Sequence, residues 1–158
     1  MTVDAVDVAV VGAGVVGTAV ARRLGRARLR VALVEAGPDV GAGTSKANTA
    51  ILHTGFDAKP GTVEARLVAR GHALLSGYAA RAGIPVERTG ALLVAGTDEQ
   101  IAALPAIAEQ AAVNGYGRCD LVDATELYRR EPQLGPGARG ALTVPDESLI
   151  CPWTTPLA

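Results

Sequence analysis

Asp7-Val-Ala-Val-Val-Gly12-Ala-Gly14-Val-Val-Gly17 decides the fold. Its first half is a short, continuously apolar, β-branched run, the pattern of a parallel strand covered on both faces. Three glycines in GxGxxG spacing follow without a break. From Val15 to about Gly25 the chain reads as a helix, with Arg22 and Arg23 at the end where cations suit the helix dipole. Arg30-Val-Ala-Leu-Val-Glu35 then supplies a second strand. Strand, helix and strand make a βαβ unit of about thirty residues with a right-handed crossover.

Each glycine has a separate physical task. Gly12 permits the tight turn out of the strand, Gly14 admits a pyrophosphate close to the backbone, and Gly17 lets helix and sheet approach. Amides at the helix start, with the positive end of its dipole, face the phosphates. Glu35 closes the second strand, where a carboxylate accepts hydrogen bonds from an adenosine ribose. A carboxylate there, rather than Arg, disfavours a 2′-phosphate, so NAD or FAD is expected and NADP is not. The plainer alternative is a glycine-rich turn in some other α/β protein.

The 158 residues fit one compact domain, or one domain and part of another. Hydrophobic residues make up 49% and charged residues 20%, so there is enough apolar surface for a core and disorder is excluded. Only 3% are aromatic, which leaves little for stacking single-stranded bases, and a net charge of −1 gives no footprint for nucleic acid or an anionic membrane. A small-molecule substrate is the expected partner. Cys119 and Cys151 stand apart, with no CxxC pair or nearby His cluster, so neither a disulfide framework nor a metal site is expected. The uncharged run from Val8 to Ala21 follows Asp4 and Asp7 rather than the Lys or Arg of a signal peptide, and it is too short and glycine-rich to cross a bilayer. These features predict a reduced, cytoplasmic setting, with the full-length protein free or peripheral at the membrane.

Beyond the βαβ unit, residues 36–48 form a loop rich in Gly, Ser, Thr and Asn, followed by the apolar Ala50-Ile-Leu-His-Thr-Gly-Phe56. A long helix is expected after Lys59-Pro60. Thr62 would be its cap and Gly83 its stop, with Val63, Leu67, Leu74, Leu75, Tyr78 and Ala82 on the buried face. Residues 86–95 read as strand, or as two strands broken at Gly90. Thr97-Asp-Glu-Gln100 is a capping box opening a helix to Asn114-Gly115, with Pro105 kinking or dividing it. Asp123-Ala-Thr-Glu126 starts a short helix ending before Pro132, and residues 139–150 read as antiparallel strands turning at Pro145-Asp146. The expected organisation is a Rossmann-like dinucleotide-binding region over 1–85, an α+β substrate domain with antiparallel sheet beginning at 86–150, and the start of a return segment, cut short, at 151–158.

No Tyr is followed four residues on by Lys, so an NAD-linked short-chain dehydrogenase lacks its catalytic pair. Instead Gly41-Ala-Gly-Thr-Ser-Lys-Ala-Asn-Thr-Ala-Ile-Leu-His-Thr-Gly55 follows the second strand. It is not a Walker loop, yet its amides and Thr44, Ser45, Lys46 and Asn48 could wrap a pyrophosphate or a flavin edge. The fingerprint, Glu35, Ser45-Lys-Ala-Asn48, His53-Thr-Gly55 and Ala58-Lys-Pro-Gly61 resemble FAD-dependent oxidoreductases of the D-amino-acid oxidase (DAO) superfamily. The resemblance is to the branch with L-2-hydroxyglutarate oxidase and flavin-linked glycerol-3-phosphate dehydrogenases, and it extends through Thr89-Gly-Ala-Leu-Leu-Val94, Glu131-Pro132 and Gly140-Ala-Leu142. Cys151 stands where many relatives have an acidic residue.

The resemblance implies FAD held by Gly12, Gly14, Gly17 and Glu35, with Thr44, Ser45, Lys46 and Asn48 near the pyrophosphate and flavin. It implies hydride transfer from a small 2-hydroxy acid or glycerol 3-phosphate, and oxygen, a quinone or a carrier protein as electron acceptor. His53 would lie near the isoalloxazine as the candidate catalytic residue. A lone His in an extended segment is equally read as a hydrogen-bonded structural residue. Lys59 and Arg88 are candidates for a substrate anion or plain solvated cations, and His72, inside the long helix, is read as a surface or core residue rather than as a base. Relatives of this kind are longer, so the expectation is an N-terminal portion of a two-domain flavoenzyme. A nucleotide-binding fragment without catalysis and an NAD-linked dehydrogenase stay as alternatives.

Overall fold

The computed structural model describes residues 5–158, so Asp4 lies outside the described residues. Two compact units are present, and neither is continuous in sequence. One gathers residues 5–50, 79–85 and 150–158, and the other 51–78 and 86–149. The units follow packing rather than chain order, and they differ in that respect from a linear division at residue 85.

The first unit holds the βαβ frame. Strands β1 (Val8–Val11) and β2 (Val31–Val34) pair in parallel with Val8 opposite Val31 and Val11 opposite Val34, and helix α1 (Val15–Leu24) connects them. Asp7 and Arg30 staple the entry to this pair: the Asp7 carboxylate accepts from the Arg30 backbone N–H at 2.8 Å and from its Nη2 at 2.9 Å. Burial on both faces of β1 is not observed. Val11 is 85% exposed and α1 buries no residue, because the sheet has only these two strands among the described residues. The 3-10 helix Thr155–Leu157 contacts α1.

In the second unit, β3 (Ile51–Leu52), β8 (Ser148–Ile150) and β4 (Val86–Glu87) form one sheet in the order β3-β8-β4. A second sheet runs β5 (Ala91–Ala95), β7 (Gly140–Val144), β6 (Asp120–Asp123), both pairings antiparallel. Gly90 does break the 86–95 run into two strands, which go to different sheets. Residues 139–150 are antiparallel strand with a turn at Pro145-Asp146, as expected, but β7 and β8 part there into different sheets. The turn carries Glu147 inward instead, where its carbonyl accepts from Gly90 N–H at 2.9 Å.

Helix α3 (Asp98–Val113) has both bonds of its Thr97–Gln100 capping box and stays continuous through Pro105. Helix α4 (Ala124–Arg130) is capped by Asp123, which accepts from Glu126 N–H at 2.8 Å. Leu104 and Ala111 of α3 pack with Phe56, Ala95, Leu142 and Val144, and Ile101 and Ile107 lie against them.

Helix α2 (Val63–Ala82) is capped by Thr62, whose Oγ1 accepts from Ala65 N–H at 3.2 Å. It ends at Gly83 (φ +68°), beyond which Ile84 N–H returns to Ala79 C=O at 3.0 Å. The expected buried face is wrong for this helix. Val63, Leu67 and Leu74 are 62%, 53% and 62% exposed, while Ala65 and Ala79 are buried. Close backbone approach selects small residues: a Cβ on Gly55 would come within 3.4 Å of the Ala69 nitrogen. Bulky Leu side chains would hold that loop away from the helix.

Candidate functional site

The first unit builds a cradle at the start of α1. Gly12 sits at φ +95°, a conformation that favours glycine, and turns the chain from β1 towards the helix. A Cβ on Gly17 would lie 1.8 Å from the Gly12 carbonyl oxygen, so helix and turn touch only because that position is bare. A Cβ on Gly14 would come within 3.1 Å of Ser45 Oγ. That hydroxyl, from the loop after β2, accepts from Val15 N–H at 2.9 Å. Gly14 is the N-cap and offers no capping side chain, and no acidic residue occupies the first turn. The amide-rich, positive end of α1 is therefore left for an external anion.

Glu35 closes the cradle. Its Oε1 accepts from Gly37 N–H at 2.8 Å and its Oε2 from Ala13 N–H at 2.6 Å. Amides of Gly37 and then Ala13 hold its carboxyl below the usual carboxylate range. A depressed folded-state pKa contributes stability that is present above the ordinary carboxylate pKa and lost as pH falls through the lower folded value. Thermal midpoints should thus hold down to about pH 4.5 and fall below it. Glu35→Gln, which cannot titrate, should flatten that part of the acid limb, and an unchanged limb would show that other carboxylates set it.

The loop over residues 36–48 supplies less side-chain chemistry than its composition suggests. Gly41 N–H donates to Ala13 C=O at 2.8 Å, drawing the loop against the turn. Of the four polar residues expected near a cofactor, only Ser45 reaches the helix start. Lys46 is paired with Asp39. Asn48 Nδ2 donates to the Ser45 and Thr44 carbonyls at 2.8 and 3.3 Å, and its Oδ1 accepts from Ala50 N–H at 2.7 Å. Ala50 itself adopts φ +59°, the one non-glycine with positive φ among the described residues. Lys46 and Asn48 brace this loop, and Thr44 contributes its carbonyl to it. Asp39 and the Ala13 amide, which sequence reasoning passed over, are integral to the cradle; a carboxylate shortly before a loop lysine is the signal that could have found Asp39.

His53 belongs to the second unit. Its side chain is 50% exposed, and Nδ1 lies 3.3 Å from Oε2 of Glu147, which is buried. Glu147 Oε1 accepts from Thr54 N–H at 2.7 Å and Thr54 Oγ1–H at 2.8 Å. A cavity of about 330 Å³ is bordered by His53, Asp57, Glu64 and His72. The His72 Nε2 lies 3.3 Å from Asp146 C=O, in keeping with a packing role. Arg88 lines a separate hollow of about 780 Å³ with Asp120, Arg130, Glu131 and Thr143. Among the described residues no three His, Cys, Asp or Glu side chains are grouped to hold a metal, and no helix is long and apolar enough to cross a membrane.

A bare glycine turn, a helix start with neither an N-cap side chain nor an acidic first turn, and a carboxylate just after the second strand fit the pyrophosphate and ribose of FAD. Residues 7–155 match the family model "DAO: FAD dependent oxidoreductase". Glycerol 3-phosphate dehydrogenase of Caloramator mitchellensis is 36% identical over 152 residues, covering 96% of this chain and 32% of that protein. The mitochondrial L-2-hydroxyglutarate dehydrogenase of Arabidopsis thaliana is 34% identical over 83% of this chain and 27% of its own length. Among solved structures, dithionite-reduced L-α-glycerophosphate oxidase of Mycoplasma pneumoniae with FAD bound superposes with a TM-score of 0.92 at 27% identity, covering 98% of this chain and 41% of that one. The chain spans about a third of the length of the curated relatives it matches. Motif, cradle geometry and likeness agree over nearly the whole chain, which belongs to the DAO family of FAD-dependent oxidoreductases.

Proposed function

We propose that the full-length protein is an FAD-dependent dehydrogenase or oxidase acting on the CH–OH group of glycerol 3-phosphate or a small 2-hydroxy acid. The observation that carries this reading is the cradle: the Gly17 contact with the turn, Ser45 Oγ on Val15 N–H, and Glu35 on the Ala13 amide. FAD, when bound, supplies the two-electron acceptor for a hydride. Gly12, Gly14 and Gly17 admit its pyrophosphate, the α1 amides offset the negative charge, and Glu35 accepts from its ribose. Thr44, Lys46 and Asn48 hold the loop that presents Ser45. His53, through its unengaged Nε2, takes the proton of the substrate hydroxyl. The substrate preference rests on the glycerol 3-phosphate and L-2-hydroxyglutarate enzymes that the chain resembles. A cytoplasmic location suits Cys119 and Cys151, both free thiols.

The purified protein should be yellow, with a two-banded flavin spectrum that bleaches anaerobically on adding glycerol 3-phosphate or L-2-hydroxyglutarate. A colourless protein that takes up no added FAD refutes the cofactor. A flavin that neither compound reduces refutes the substrate class.

A further inference from the structure

We infer that Glu147 is a positioning residue for His53, fixing the imidazole with its proton on Nδ1 and its lone pair on Nε2. This rests on the reading of His53 as the base. Glu147 is 3% exposed, and nothing in the nucleotide cradle uses it. A buried carboxylate is costly unless each oxygen has a partner. Thr54 supplies two donors to Oε1, one from the backbone and one from the side chain. Oε2 is left facing His53 Nδ1 at 3.3 Å. The main chain of Glu147 is fixed by its carbonyl accepting from Gly90 N–H, and its carboxylate by Thr54, one residue after His53.

The consequence is directional. A carboxylate can only accept, so it stabilises the tautomer with hydrogen on Nδ1, and Nε2 becomes the acceptor nitrogen. The His53 ring stands at ion-pair distance from Glu147 and makes no hydrogen bond to another group among the described residues, so the half-exposed ring leaves Nε2 open. When Nε2 takes the proton of a substrate hydroxyl, the imidazolium carries a positive charge and Glu147 carries the matching negative one. The proton moves from substrate oxygen to Nε2 while Glu147 keeps its place, so no proton passes along the pair. The remaining ionisable groups on the cavity wall, Asp57, Glu64 and His72, form no hydrogen bond or ion pair with the His53 ring and leave this role to Glu147.

The test uses FAD-loaded, full-length protein labelled with ¹⁵N-histidine. Long-range ¹H–¹⁵N correlations, with His53 identified by the signals missing in His53→Gln, should show Nδ1 protonated in the wild type. Glu147→Gln keeps the shape and the acceptor for Thr54 but can turn an N–H towards Nδ1, so the proton should move to Nε2. The limiting rate of flavin reduction by glycerol 3-phosphate or L-2-hydroxyglutarate should fall about 100-fold or more, with FAD content and half-saturating substrate concentration unchanged. Wild-type His53 protonated on Nε2 overturns the inference, and this measurement needs no variant of Glu147 to fold. A His53→Gln protein that no longer reduces its flavin, beside an unaffected Glu147→Gln, overturns Glu147 alone. A His53→Gln protein that reduces its flavin at the wild-type rate overturns His53 as base, and both readings with it.

Discussion

Gly17→Val should raise the dissociation constant for FAD at least about 100-fold, equivalent to about 2.7 kcal/mol, in a fluorescence titration of the apoprotein. The first added carbon would stand 1.8 Å from the Gly12 carbonyl oxygen, and that oxygen is backbone. No rotamer change relieves the overlap, so α1 must move away from the turn. Its first-turn amides, the Val15 N–H to Ser45 Oγ bond and the Ala13 N–H to Glu35 bond all depend on that approach. The phosphate and ribose contacts proposed for this cradle would be lost together. Gly14→Ala provides the contrast. Its Cβ would meet Ser45 Oγ at 3.1 Å, and a hydroxyl can rotate aside, so the loss in affinity should be several-fold smaller. Wild-type affinity in Gly17→Val would remove the close helix–turn contact from the account of binding.

Leu142→Ala should lower unfolding stability by about 2–5 kcal/mol, read as a shift in denaturant midpoint with unchanged slope. Leu142 is fully buried on the central strand of its sheet, opposite Leu93 of β5 and Leu121 of β6, and packs in the cluster of Phe56, Leu104 and Val144. Truncation leaves a cavity between a sheet and α3, and strand pairing on both sides restricts collapse into it. Leu121→Ala, at a side chain 54% exposed on the edge strand, should cost less than about 1 kcal/mol. Equal losses at the two positions would contradict the placement of the core. The site feels the same change, because Glu147 lies just past the Pro145-Asp146 turn that ends β7 and its carbonyl is held by Gly90, which precedes β5.

Much of the cradle was legible because its determinants are local. GxGxxG, the strand before it and Glu35 after it specify one another within 29 residues of chain, from Asp7 to Glu35. Helix caps were equally readable: Thr62, Gly83, Thr97 and Asp123 act within a turn of their own positions. The α2 face was misread for the opposite reason. Helical periodicity marks which residues share a face but not which face is covered: Ala65 and Ala79 are buried, and it is beside Val68 and Ala69 that the Gly55 backbone comes close. Hydrophobicity alone pointed to Leu67 and Leu74.

The split of β7 and β8 between two sheets was illegible in the same way, since a Pro-Asp turn between apolar runs suits a hairpin or a parting of strands. The partnership of His53 with Glu147 is the sharpest case. Thr54 and Glu147 are 93 positions apart, and no spacing rule connects them. By itself the sequence determined the glycine turn, the uncovered helix start and the carboxylate beside them, because steric space, dipole direction and Glu35 are all encoded within one βαβ unit. Only the tertiary structure decided what stands beside His53, because a buried carboxylate finds its partners through strand register and packing between distant segments.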